Sequence, residues 1–198
     1  ADTLGEILRD RAKVGVRVFV LYDAFGTVDI PPDHRDALRA SGIVVEPFRP
    51  IRLSTLHLAQ NRSHVRGIVI DSRVGWTGGF GIDDKWYGNG RQENQWRDSN
   101  VRFTGPAVRH LQATFVVCWA EASGQLLTGD QLFPPKKESD GKGILAAVLH
   151  ASPTIGSTEA ERFFVMSIAA ARERLYIATS YFVPGKPFRK LLCEAAAR

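Results

Sequence analysis

Residues 16–25, "VRVFVLYDAF", run apolar almost without interruption. A strand with one wet face alternates polar and apolar side chains, whereas an unbroken β-branched and aromatic run needs cover on both faces. Such a strand belongs inside a sheet layered between helices, and the flanking sequence supplies them. An amphipathic helix is expected over 3–13 and passes through Gly15 into the run; a Pro-rich stretch, 28–33, follows. "DHRDALRAS" (33–41) reads as a second helix ended by Gly42, and "IVVEPF" (43–48) as the next strand. This alternation makes the fold class α/β.

Segment 49–62 reads as a loop. After it, "HVRGIVID" (64–71) reads as a strand, "SR" as a tight turn and "VGWTGG" (74–79) as the hairpin partner. Residues 82–95 are polar and Gly-rich, the pattern of a surface loop, and "WRDSNVRFTG" (96–105) is a further strand. Pro106 suits the first turn of a helix on which Val108, Leu111, Phe115, Cys118, Trp119 and Ala122 share one face. Residues 126–156, with "PPKKESDGKG", read as a linker between a first half over 1–125 and a second unit over 157–198.

The second unit repeats the grammar. Thr158 and Glu161 have the spacing of a capping box for "EAERFFVMSIAAARE", with a strand expected at 174–184, "RLYIATSYFVP", and then the helix "RKLLCEAAAR". That helix resembles "GEILRDRAK" near the start, which suggests an internal duplication with one full unit and the beginning of another. On this reading the strand at 174–184 either begins its own half or fills a vacant place beside residues 16–23. The chain starts without methionine inside a helical pattern and stops in mid-helix, and reads as a fragment.

A net charge of +5 and an isoelectric point near 9.5 favour a phosphate-bearing partner, nucleic acid and anionic lipid alike. Cys118 and Cys193 lack C-x-x-C spacing, so both are expected as core thiols, with neither a disulfide framework nor a zinc site. No apolar run approaches the ~20 residues of a membrane span, and none of the given residues reads as a signal peptide.

Chemistry concentrates in "SHVRGIVIDSRVGWTGGFGIDD", residues 63–84. Strand alternation puts His64 and Arg66 on one face, roughly 7 Å apart at their α-carbons. An imidazole can attack phosphorus or pass a proton, and a guanidinium beside it can bind two non-bridging oxygens. The hairpin returns through Thr77, Gly78 and Gly79, where missing β-carbons let backbone N–H groups approach an anion. Asp71 falls on the other face, suited equally to orienting, turn-capping or direct catalysis. The same residues also fit an ordinary hairpin with a glycine bulge.

The stretch "NRSHVRGIVIDSRVGWTGGFGIDD" resembles the H-x-K-x4-D-x6-G-[GS]-x-N signature of the phospholipase D superfamily. "GVRVFVLYDAFG", "LRASGIVVEPFRP", "WRDSNVRFTGPAVRHLQATFVVCWAEASG" and "IATSYFVP" are similar, in order, to stretches of its cardiolipin synthase branch. The resemblance implies a phospholipase D-like mixed sheet flanked by helices, one half complete and the second truncated. It implies that His64 is the nucleophile that forms a phosphohistidine, with Arg66 at the lysine position and Asp71 at the aspartate. Gly78 and Gly79 match the small-residue pair, Gly81 stands where asparagine would be, and no metal or other cofactor is implied. The implied substrate is an anionic phospholipid, met at the cytoplasmic membrane of a bacterium. No other histidine has H-x-[KR]-x4-D spacing: His150 lacks it, His110 lies on a helix, and His34 and His57 sit in loop-like segments. A lone half-site lacks its acid, so the chain alone is expected to be inactive unless two copies pair. Two other readings stay open: a dimeric phosphodiesterase on nucleic acid, and a non-catalytic phosphate- or lipid-binding module.

Overall fold

The apolar run at 16–25 forms a shorter strand than its composition suggests, β1 (Phe19–Asp23), and it pairs in parallel with β2 (Val44–Phe48). The register sets Phe19 opposite Val44 and Asp23 opposite Phe48. Parallel strands need a crossover, here carried by α2 (Pro32–Ala40), which opens on Pro32, where a missing N–H costs nothing. Helix α1 (Asp2–Lys13) precedes β1 and packs on α2. Three further strands, β3 (Gly67–Ile70), β4 (Val74–Gly78) and β5 (Asn100–Thr104), form an antiparallel meander. This computed structural model describes residues 2–28, 30–50, 63–135, 143–151, 157–179 and 181–198. Helices with parallel and antiparallel ladders make the α/β fold expected of a phospholipase D-like half.

Helix α3 (Ala107–Ser123) lies against β2 and against all three strands of the meander. The contact with the meander depends on two glycines. A β-carbon at Gly67 would stand 2.8 Å from Leu111 Cδ1, and one at Gly75 would stand 2.9 Å from Phe103 and 3.3 Å from Leu111. Leu111 therefore sits in a depression that any larger residue would fill. Two turns on, Trp119 is 1% exposed and meets Phe19 of β1 edge-on, with ring centroids 5.3 Å apart. Ile43, Val45, Phe48, Val108, Val116 and Cys118 complete this core. Burial of a side chain the size of Trp119 is worth about 3–5 kcal/mol against alanine.

The buried arc of α3 is wider than a single amphipathic face, since Gln112 and Thr114 are buried as well, while Phe115 and Ala122 are only half-buried. Cover from two sheets explains it. Thr114 donates to the His110 carbonyl at 3.0 Å and Gln112 Nε2 to the Leu132 carbonyl, while Gln112 Oε1 is buried without a hydrogen-bond partner among the described residues. The helix stops at Gly124, whose φ of 71° only glycine adopts cheaply and whose N–H donates to the Ala120 carbonyl.

The chain divides into two units, Ala1–Val148 and Leu149–Arg198. The first part of the expected linker is tied to the first unit: Ser72 donates to the Leu132 carbonyl at 2.9 Å, Arg109 to the Pro134 carbonyl at 3.1 Å, and Arg17 to Gln131. In the second unit α4 (Glu159–Ala170) packs on α5 (Lys186–Ala196), with Ile168 buried and Arg198 donating to the carbonyls of Ile168 and Ala169.

Several expectations are corrected. Residues 174–179 and 181–184 form no strand and join no sheet, so they neither replace a strand beside β1 nor begin a sheet of their own. The second unit holds two helices and no strand edge among its described residues, and without a ladder partner an extended segment leaves Tyr176, Tyr181 and Val183 exposed. Cys193 is exposed, not a core thiol, because no residue of α5 is buried. His34 lies on α2, not in a loop; His57 falls outside the described residues.

Cys118 is buried, and burial first, then the nearby Glu121 carboxylate, push its thiol pKa up, against a smaller opposing pull from Arg49. A thiol-specific reagent at pH 7–8 is therefore expected to label Cys193 promptly and Cys118 only after unfolding. Quantitative labelling with and without denaturant checks this, and the Cys193→Ser chain should show no prompt thiol.

Candidate active site

Strands β3 and β4 make a hairpin whose ladder runs from Gly67 opposite Thr77 at its open end to Ile70 opposite Val74 at its closed end. The turn is centred on Asp71 and Ser72, with φ of 52° and 55°, and closed by the Arg73 N–H donating to the Ile70 carbonyl at 3.0 Å. Two consecutive left-handed residues define a type I′ turn, the one whose twist matches a hairpin. The sequence reading set this turn one residue later, on Ser72 and Arg73. Left-handed backbone suits aspartate because its short side chain tolerates that region.

Asp71 is thus separated from the other candidates. Three strand rises, about 10 Å, lie between Gly67 and Ile70, and Thr77, Gly78 and Gly79 are at the open end. His64 and Arg66 are at that end too, just before β3 and outside its ladder; both are exposed. The alternation that would put them on one strand face applies only from Gly67 onward. What holds their backbone is a set of side-chain bonds. Asp23, at the end of β1, accepts from the Ser63 N–H through Oδ2 at 3.1 Å, while its Oδ1 accepts from the N–H groups of Phe25 and Gly26. Ser63 Oγ accepts from the Val65 N–H at 3.3 Å, and Thr77 Oγ1 donates to the Arg66 carbonyl at 2.7 Å. His64 is thereby clamped on both sides. Asp23 was not singled out in the sequence; its turn signal, an aspartate three residues before Gly26, was the available clue.

The glycines are needed for space. Neither Gly78 nor Gly79 has left-handed backbone, but a β-carbon on Gly78 would collide with the Ser99 carbonyl and Asn100, and one on Gly79 with the Asp98 carboxylate. The Gly79 N–H donates to the Ser99 carbonyl at 3.4 Å and the Phe80 N–H to Asn100 Oδ1 at 3.4 Å, so β5 seats this corner.

Residues 82–95 hold more than a polar surface loop. Asp84–Trp86 form one 3-10 turn, capped by Asp83, whose carboxylate accepts from the Lys85 N–H at 3.0 Å. That backbone hydrogen bond first, opposed by desolvation and then aided by the Lys85 charge, holds the Asp83 carboxyl below its ordinary value, so the cap persists at neutral pH. Trp86 meets Phe80 at 5.7 Å and Trp96 edge-on at 5.2 Å. The Arg66 guanidinium lies 6.0 Å from the Trp86 ring centre, and a β-carbon on Gly81 would be 2.8 Å from Trp86 Nε1. Among the described residues no three of His, Cys, Asp and Glu gather as a metal would require.

The chain is 35% identical over 195 residues to the cardiolipin synthase of Geobacillus kaustophilus, a match covering 98% of this chain and 39% of that protein. It is 33% identical over 188 residues to cardiolipin synthase A of Pseudomonas putida (92% and 38%), and 32% identical over 193 residues to the cardiolipin synthase of Halalkalibacterium halodurans (96% and 38%). The chain belongs to the phospholipase D superfamily, in its cardiolipin synthase-like branch. No protein-family model matches it. This cardiolipin synthase-like chain spans about two fifths of the length of these relatives.

Within this phospholipase D-like corner the two glycines should differ in tolerance. Gly78→Ala must move backbone at Ser99, at about 2 kcal/mol, whereas Gly79→Ala displaces only the Asp98 side chain, at about half that. Chemical denaturation of both variants checks the order; equal costs would contradict it.

Proposed function

We propose that this chain supplies one histidine half-site of a phosphatidyltransferase acting on anionic phospholipid. The observation that carries the reading is the open end of the hairpin, where His64 and Arg66 stand exposed on a backbone pinned by Asp23 and Thr77. A ring nitrogen of His64 attacks the phosphorus of a phosphodiester, and the bond from phosphorus to the departing alcohol oxygen breaks as the phosphorus–nitrogen bond forms. Arg66 holds two non-bridging oxygens and offsets the charge that builds on them. The departing oxygen takes its proton from a second histidine. A second alcohol then attacks and gives its proton to that second histidine, the phosphorus–nitrogen bond breaks, and both histidines are restored. With phosphatidylglycerol as both donor and acceptor, the products are cardiolipin and glycerol.

Asp71, at the closed end of the hairpin, serves the turn and not the phosphorus. Thr77 serves the position of Arg66, and Gly78 and Gly79 serve the seat on β5. The second histidine comes from another chain segment carrying the same motif or from a second copy, since no other histidine here has the spacing. The site works at the cytoplasmic membrane of a bacterium, where its substrate lies; no helix among the described residues is long and apolar enough to cross a membrane.

The test is release of glycerol from phosphatidylglycerol vesicles. As a monomer, residues 1–198 should show none. In an assembly that provides the second histidine, transfer is expected, and His64→Ala should cut it about a thousandfold or more. Monomeric turnover abolished by His64→Ala would contradict the half-site, and transfer that survives His64→Ala would contradict the nucleophile.

A further inference from the structure

Two positions of this chain depart from the superfamily signature, Arg66 in place of lysine and Gly81 in place of asparagine, and both meet the same side chain. Trp86 Nε1 lies 2.8 Å from where a β-carbon on residue 81 would be, so an asparagine there and the indole in its present place exclude each other. The Arg66 guanidinium lies 6.0 Å from the ring centre of the same indole, at the outer edge of a cation–π contact. A guanidinium is planar and stacks on a flat partner, as an ammonium does not.

The indole is built into place. Phe80 and Trp96 back it, Asp83 caps the turn that carries it, and the Trp96 N–H donates to the Lys85 carbonyl at 2.6 Å. Its Nε1–H, a donor with no acceptor capacity, has no hydrogen-bond partner among the described residues. We propose that the Trp86 indole N–H, standing where a side chain on residue 81 would reach, is a donor to the bound phosphate, with its ring face setting the plane of Arg66. Trp86 is then a substrate-binding residue that compensates both departures at once. This rests on the reading of His64 and Arg66 as a phosphate site. The shared ligand chemistry is a phosphate anion, whether free or in a lipid headgroup.

The experiment is a 1H–15N NMR titration of the 198-residue chain, first with inorganic phosphate and then with soluble short-chain phosphatidylglycerol. The chain has four tryptophans, and the indole signal lost in Trp86→Phe identifies Trp86; His64→Ala identifies the His64 ring signals. The Trp86 N–H should move downfield with the same midpoint as the His64 signals. Trp86→Phe, which keeps the ring but not the donor, should weaken binding about tenfold, and Gly81→Asn should displace the indole and erase its shift while the chain stays folded. A response to the lipid alone assigns the site to phosphodiesters and keeps the proposal. His64 signals that move while Trp86 stays still would overturn the proposal and leave the phosphate site intact. Should neither move with either ligand, the phosphate site falls and this proposal with it.

Discussion

The seating of Leu111 on Gly67 and Gly75 is the contact on which the first unit depends. A hairpin of four- and five-residue strands has little stability alone. It becomes rigid because α3 lies across it, and α3 can approach that closely only where two β-carbons are missing. The same helix carries Trp119 against Phe19 and holds β2 through the ion pair between Arg49 and Glu121. One helix thus links the parallel pair to the meander, and enlarging either glycine would disturb both sheets through it.

That arrangement explains why the proposed site falls where it does. The end of β1 and the open end of the β3–β4 hairpin meet at the bond from the Ser63 N–H to Asp23. His64 follows directly, exposed but with its backbone clamped. A nucleophile needs access and fixed geometry together. Here access comes from position at the rim and geometry from bonds to the neighbouring strands. The Arg66 guanidinium lies 6.0 Å from the Trp86 ring centre, and that ring is packed against Phe80 and Trp96.

Much of this was legible in the residues. The apolar run predicted a strand and "IVVEPF" its neighbour, but β1 is half-buried throughout and not enclosed on both faces, because among the described residues it has a ladder partner on one side only. The spacing of Val108, Leu111, Cys118 and Trp119 predicted the buried face of α3. The His64 to Gly81 spacing drew attention to the hairpin on which the proposed site rests. Other features were not legible because they depend on contacts distant in sequence. The burial of Gln112 and Thr114 needed knowledge of a second sheet, and the grip of Asp23 on Ser63 spans forty residues. The turn was displaced by one residue because left-handed backbone at Asp71 and Ser72 has no glycine to mark it. The strand read at 174–184 had the right composition but no partner among the described residues, and composition alone does not make a ladder.

The central claim is that His64 and Arg66 at the open end of this hairpin address one phosphate. Its most direct test is a crystal structure of the chain soaked in tungstate, a phosphate mimic dense enough to locate without ambiguity. The account predicts the anion within hydrogen-bonding distance of both a His64 ring nitrogen and the Arg66 guanidinium. Side chains of His64 and Arg66 directed to opposite sides of the backbone, with no anion between them, would contradict it.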